Sequence, residues 1–225
     1  RRCTASINLN AIKKNYLYAK SLSPNTKAIA IVKANAYGHG AIKVASYLED
    51  CADCYGVACT EEAVELRNSG IDKTPILLME GIFEVSELKL IEKYNLIITV
   101  CNSKQLGWLL DNTFNKPVDV FVKYDSGMGR LGFQGEEFIN AINLLEESEK
   151  IGKITLMTHF SSADDLNSTS TNEQISNFDK TLYSKKYSTS LANSAGIMSW
   201  SESHREYTRP GIMLYGSSPL PEKTF

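Results

Sequence analysis

Short apolar runs alternate along this chain with longer stretches in which apolar residues recur every three or four positions. The runs at 28–33, 55–58, 75–79, 96–100, 118–123, 154–159 and 187–193 read as buried strands, and 207–210 as a weak eighth. Between them, 41–50, 84–94, 103–111, 136–149, 172–183 and 195–200 read as helices. A further helix opens at Thr60, a plausible N-cap, and closes before Gly70, a plausible C′ residue. In 136–149, Phe138, Ile142 and Leu145 share one face. An extra helix over 8–22 carries Ile12, Tyr16 and Ala19 on one side, and residues 3–7 read as a short strand.

Strands separated by helices must be parallel, because each crossover returns the chain to the same end. Eight such units favour closure into a (β/α)8 barrel of TIM type, an α/β fold. An open doubly wound sheet is the rival, but no Gly-x-Gly-x-x-Gly follows the first strand.

The 225 residues are 43% hydrophobic and 9% aromatic, enough for one large core. With 24 basic and 26 acidic side chains the formal charge is −2, which argues against a nucleic-acid surface. No apolar run is long enough to cross a bilayer, so no membrane partner is expected. Five cysteines, an odd number, form neither a disulfide framework nor a metal-spaced set; reduced thiols, a cytoplasmic location and no metal are expected. The chain opens Arg1-Arg2-Cys3 without Met, lacks a secretory signal, and closes on a linker-like stretch over 217–225. The expectation is a piece of a longer protein.

In such barrels the active groups gather at the carboxyl ends of the strands. Those ends carry Lys33 through Gly40, Lys123 through Arg130, Thr158-His159-Phe160, Ala192-Asn193-Ser194 and Arg209-Pro210-Gly211-Ile212. Lys33 ends an apolar strand, where lost hydration would make its amine nucleophilic and able to form an imine. From strand position alone, a lysine snorkelling to solvent carries more weight. The Ser194 hydroxyl and the amides of Gly211 and Ile212 offer a phosphate site, though each reads equally as a cap or turn. A lysine, a phosphate site and an arginine at one mouth fit pyridoxal phosphate.

The run Ala30-Ile-Val-Lys-Ala-Asn-Ala-Tyr-Gly-His-Gly40 resembles the cofactor-lysine motif of alanine racemases. Lys123-Tyr-Asp-Ser-Gly-Met-Gly-Arg-Leu-Gly132, Thr158-His159-Phe160, Ala192-Asn-Ser194 and Arg209-Pro-Gly-Ile-Met-Leu-Tyr-Gly216 resemble that family's later motifs, in its order. The likeness covers nearly the whole chain and corresponds to the family's amino-terminal barrel. It implies that Lys33 holds pyridoxal 5′-phosphate as an imine and is the base on the D-alanine side. It implies that Tyr37, Ser194, Gly211 and Ile212 hold the phosphate. Arg209 would face the pyridine nitrogen with His159 beside it, Arg130 would bind near the substrate carboxylate, and Lys123 is a carbamylation candidate.

The resemblance further implies a second, mostly β domain beyond Phe225, pairing with residues 1–7 and supplying the opposite base, a tyrosine, across a homodimer interface. Residues 1–225 alone are then expected to bind cofactor weakly and to racemise alanine, for bacterial cell-wall synthesis, poorly or not at all. The main alternative is a one-domain pyridoxal phosphate protein of cofactor homeostasis, without racemase activity. A sugar-phosphate barrel enzyme with an unrelated lysine imine is a third reading. Related decarboxylases and broad-specificity racemases also remain open.

Overall fold

The computed structural model describes residues 3–181 and 186–220. Eight parallel strands close into a barrel in sequence order, β1 (Lys27–Ile31), β2 (Cys54–Val57), β3 (Ile76–Leu78), β4 (Leu96–Val100), β5 (Val118–Lys123), β6 (Ile151–Met157), β7 (Ser188–Ser190) and β8 (Tyr207–Thr208). The last strand returns to the first, with Lys27 opposite Tyr207 and Ala28 opposite Thr208. Around the barrel run α1 (Leu9–Leu22), α2 (Ala41–Leu48), α3 (Thr60–Asn68), α4 (Leu88–Lys93), α5 (Ser103–Asp111), α6 (Gly135–Glu146), α7 (Ser170–Asp179) and α8 (Ser194–Ser199).

Alternation along each strand feeds two cores. In β1, Ala28 and Ala30 pack outward under the helices, whereas Ile29 and Ile31 fill the barrel interior. Leu77, Phe121 and Met157 join that interior cluster, while Ile76, Leu78, Val120, Val122 and Leu156 pack under the helices. Two residues beyond Ile31, Phe121, Met157 and Tyr207 stand Lys33, Lys123, His159 and Arg209. The same parity that buries the hydrophobes therefore carries these four polar residues to the barrel mouth.

Several boundaries differ from the sequence expectation. Residues 3–8 form neither helix nor strand. The first strand stops at Ile31, so Lys33 lies past it and begins a helical turn. The seventh strand spans only Ser188–Ser190, because the chain then turns to place Asn193 as the cap of α8, its side chain accepting from the Gly196 amide at 2.9 Å. Cys59, not Thr60, caps α3; the Thr60 hydroxyl instead donates to the Glu87 carboxylate. The helix expected over 84–94 divides into a 3-10 turn, Val85–Glu87, and α4. Gly70 does follow α3 with φ +92°. Of the linker-like tail, Leu220 is buried in the main core, and 221–225 lie outside the described residues, as do 1–2, expected to pair with a second domain, and 182–183, expected to end the helix over 172–183.

Candidate active site

The strand ends surround an open cavity of ≈ 380 Å³. Every residue singled out from the sequence lines it: Lys33, Tyr37, Lys123, Arg130, His159, Ser194, Arg209, Gly211 and Ile212. Among the described residues, no group of three His, Cys, Asp or Glu could hold a metal ion.

Lys33 opens a left-handed turn. Ala34, Asn35, Ala36 and Tyr37 take φ of 51°, 53°, 53° and 51°. A Cβ crowds the following carbonyl in that conformation, at roughly 1–2 kcal/mol per residue. The turn brings Lys33 and Tyr37 to the same cavity. The Asn35 side chain accepts from the Ala41 amide at 2.8 Å, and Gly40 N–H donates to the Asn35 carbonyl at 2.9 Å. The Lys33 side chain is 34% exposed, with Nζ 3.8 Å from Glu80 Oε1. Of the two readings of this lysine from its strand position, the snorkelling one agrees with the geometry: past β1, its side chain keeps contact with water and has a carboxylate neighbour.

Arg209 is the most enclosed charge in the site, 2% exposed. Its Nη1 donates to Ser190 O at 2.8 Å and Ser190 Oγ at 2.6 Å, and its Nη2 to Thr158 O at 2.6 Å and Leu191 O at 3.0 Å. Nη2 also lies 3.3 Å from His159 Nδ1. Nε alone has no hydrogen-bond partner. Burial draws the guanidinium down to about 10, so it stays charged at neutral pH. Burial first, then the charges of Arg209, Lys123, Arg130 and Lys33, drive His159 down to about 2.

Lys123 is 5% exposed. Burial chiefly lowers its amine to about 8, with Arg209 and Arg130 adding to that and Cys101 and Glu80 opposing. No carboxylate forms a salt bridge with it among the described residues.

On the opposite wall, Ser194 Oγ accepts from Gly211 N at 2.9 Å and Met213 N at 3.4 Å. The expected anion-facing amide of Gly211 is therefore taken by the serine hydroxyl. A Cβ added at Gly211 would lie 3.2 Å from the Tyr37 hydroxyl and 3.8 Å from Ser194 Oγ. Glycine there leaves a small polar recess between two hydroxyls. Burial raises the Tyr37 phenol, which keeps its proton and can donate. Its ring lies 5.2 Å from that of Tyr215, whose hydroxyl donates to Ile31 O at 2.7 Å.

Arg130 hangs on a loop organised by Asp125. The Asp125 carboxylate accepts from the amides of Gly127, Met128 and Gly129 at 3.1, 2.9 and 3.0 Å and from Gln134 Nε2 at 3.0 Å. Burial pushes this carboxyl up, but the Gly129, Gly127 and Met128 amides and Gln134 together hold it below its usual range.

Sequence reasoning missed Asp125, Glu80 and Glu62. Glu80 follows β3 by two residues, and a reading of all eight strand ends rather than five reaches it. Glu62 sits in the first turn of α3 and contacts the lysine turn only through the fold.

A family model described as "Alanine racemase, N-terminal domain" matches residues 7–219. An alanine racemase of Xylella fastidiosa (strain 9a5c) is 43% identical over 224 residues, 100% of this chain and 61% of that protein. A catabolic alanine racemase of Pseudomonas putida is 43% identical over 98% of this chain and 61% of its own length. The crystal structure of biosynthetic alanine racemase from Pseudomonas aeruginosa superposes with a TM-score of 0.92 at 40% identity, covering 96% of this chain and 60% of that one. Alanine racemase of Clostridium difficile 630 in complex with cycloserine gives 0.86 at 31% identity, over 98% and 64%. The chain thus spans about three-fifths of the length of the relatives it matches.

Proposed function

As the chain belongs to the alanine racemase family, corresponding to its N-terminal domain, we propose that it is the cofactor-binding barrel of an enzyme that interconverts L- and D-alanine with pyridoxal 5′-phosphate. The observation that carries this reading is the buried, unpartnered Nε of Arg209, lining the same cavity as Lys33 and the Gly211 recess. A flat heteroaromatic ring nitrogen is the acceptor that would satisfy it, and an anion fits the hydroxyl-lined recess. The single-domain homeostasis reading gains no support from the relatives named above.

In this reading Lys33 holds the cofactor through its amine, with Tyr37, Ser194, Gly211 and Ile212 around the phosphate. The bound cofactor supplies an electron sink for the negative charge left on the substrate carbon. Arg209 hydrogen-bonds the ring nitrogen but keeps its own proton, because even in this buried site it stays charged at neutral pH. The sink is thereby weakened, which limits side reactions such as transamination. His159, neutral and fixed against Arg209, holds that guanidinium in place. Lys33 Nζ removes and returns the α-proton on the D-alanine side. Arg130 pairs with the substrate carboxylate.

Lys123 carries a fraction of neutral amine near physiological pH. A neutral amine adds carbon dioxide, forming an N–C bond and releasing one proton. The resulting carbamate would pair with Arg130. The opposite base is assigned to a second domain and a homodimer of the whole protein. Synthesis of D-alanine for the bacterial cell wall, in the cytoplasm, is the proposed setting.

The test is a pyridoxal 5′-phosphate titration followed by its visible band, with borohydride trapping and peptide mass spectrometry. A trapped adduct on the Lys33 peptide, lost in Lys33→Ala, is expected. A band that persists unchanged in Lys33→Ala overturns the assignment.

A further inference from the structure

Four consecutive non-glycine residues in the left-handed region form an unfavourable segment, and something outside it has to hold it. One carboxylate meets that requirement. Glu62 Oε1 accepts from the Ala34 amide at 2.7 Å, and Glu62 Oε2 accepts from the Ala58 amide at 2.8 Å. Ala34 is the first left-handed residue and immediately follows Lys33; Ala58 is the residue just after β2. Glu62 itself is the third residue of α3, where a carboxylate also complements the helix N-terminus. The two oxygens thus tie the start of the lysine turn to the end of the neighbouring strand. Within the turn, Ala36 N–H donates to Val32 O at 2.8 Å and Gly38 N–H to Ala34 O at 3.0 Å, so its far end is anchored through Ala34 as well.

The consequence is geometric. Lys33 and Tyr37 are four residues apart and line one cavity. In an extended chain, those positions would be separated by roughly 13 Å of strand. Only the compact turn lets the amine and the phenol address the two ends of one small molecule.

We propose that Glu62 is a positioning residue: by bridging the Ala34 and Ala58 amides it holds the left-handed turn wound, and so sets the spacing between Lys33 and the Tyr37–Ser194–Gly211 recess. The inference rests on the cofactor reading above. It assigns Glu62 no contact with the reacting atoms.

The experiment compares two aldehydes on the intact chain, pyridoxal 5′-phosphate and pyridoxal, which lacks the phosphate. Both report adduct formation at Lys33, but only the first uses the recess. In the unsubstituted chain the phosphate confers a large affinity advantage. Glu62→Gln keeps the shape, but its amide nitrogen can only donate, so one of the two backbone amides loses its acceptor and the advantage falls at least tenfold. Ala34→Gly/Ala36→Gly added to Glu62→Gln restores it to within threefold, because glycine takes positive φ without the Cβ penalty. A purely structural role would lower the melting temperature and weaken both aldehydes alike, and glycine would not rescue; that outcome overturns the proposal. Absence of a Lys33 adduct in the unsubstituted chain overturns the cofactor reading itself. Should Glu62→Gln fail to fold, amide exchange decides. The Ala34 amide of the unsubstituted chain is expected to be slow to exchange and shifted downfield, and a freely exchanging Ala34 amide overturns the proposal.

Discussion

Arg209 Nη2 lies 3.3 Å from His159 Nδ1, and a guanidinium can only donate. As a hydrogen bond, this contact has the imidazole accepting at Nδ1, with its single proton on Nε2, and shares the two Nη2 protons with Thr158 O and Leu191 O. Geometry and electrostatics agree on a neutral ring, since the same arginine repels any second proton.

His159 is expected to stay neutral in the folded chain from pH 8 down to 4, with nitrogen-15 shifts marking Nδ1 as the unprotonated atom. Its folded value near 2 lies below the unfolded 6.5, so the unfolded chain binds the extra proton in between. Stability is then fully present above about 6.5 and declines on acidification, by at most roughly 1.4 kcal/mol per pH unit from this group. His159→Asn should flatten that decline in urea unfolding between pH 7 and 5.

Arg209→Ala strips donors from Ser190, Thr158, Leu191 and His159 at once. A loss of about 3–5 kcal/mol is expected in equilibrium unfolding, since several buried acceptors lose their donor at roughly 1–3 kcal/mol each. Arg209→Lys keeps the charge but cannot reproduce the planar fork, and should recover less than half of it.

Gly211→Ala tests the recess alone. Gly211 has φ −118°, outside the left-handed region. Its methyl would lie 3.2 Å from the Tyr37 hydroxyl. Affinity for pyridoxal 5′-phosphate should fall tenfold or more in absorbance titrations.

Asp125→Ala removes the acceptor shared by three amides and Gln134. A destabilisation of about 2 kcal/mol is expected, as for a lost charged cap. Asp125's stabilisation is present above its ordinary 3.8 and is lost as the pH falls through its lowered folded value. The variant should therefore be less sensitive to acid below pH 4.

Lys123 should take up carbon dioxide. Carbon-13 bicarbonate is expected to give a carbamate resonance near neutral pH that Lys123→Met abolishes. A spectrum identical in both proteins would remove this assignment.

The barrel was legible because alternation is a local signal: Ile29 and Ile31 against Ala28 and Ala30 already separate two faces. Lys33, Lys123, His159 and Arg209 follow the interior parity, so reading strand ends gathers them without any three-dimensional knowledge. What stayed hidden depends on long-range pairing. The amide that Glu62 holds is 28 residues away, and nothing in the sequence says that Ala34 and Ala36, good formers of ordinary helix, wind left-handed. The strand expected at 3–7 pairs with no neighbour within the described residues.

Closure through β1 and β8 has a consequence for biogenesis. Lys27 N–H bonds to Glu206 O at 2.9 Å and Ile31 N–H to Pro210 O at 3.0 Å, so the wall beside Lys33 is built from the last-made part of this chain. A ribosome reading from the amino end releases the lysine more than 175 residues before the arginine and glycine that line the same cavity. At roughly 5–20 residues per second, that lysine waits on the order of ten seconds or longer as an ordinary accessible amine. The cavity is thus completed late, when the final strand zips onto the first.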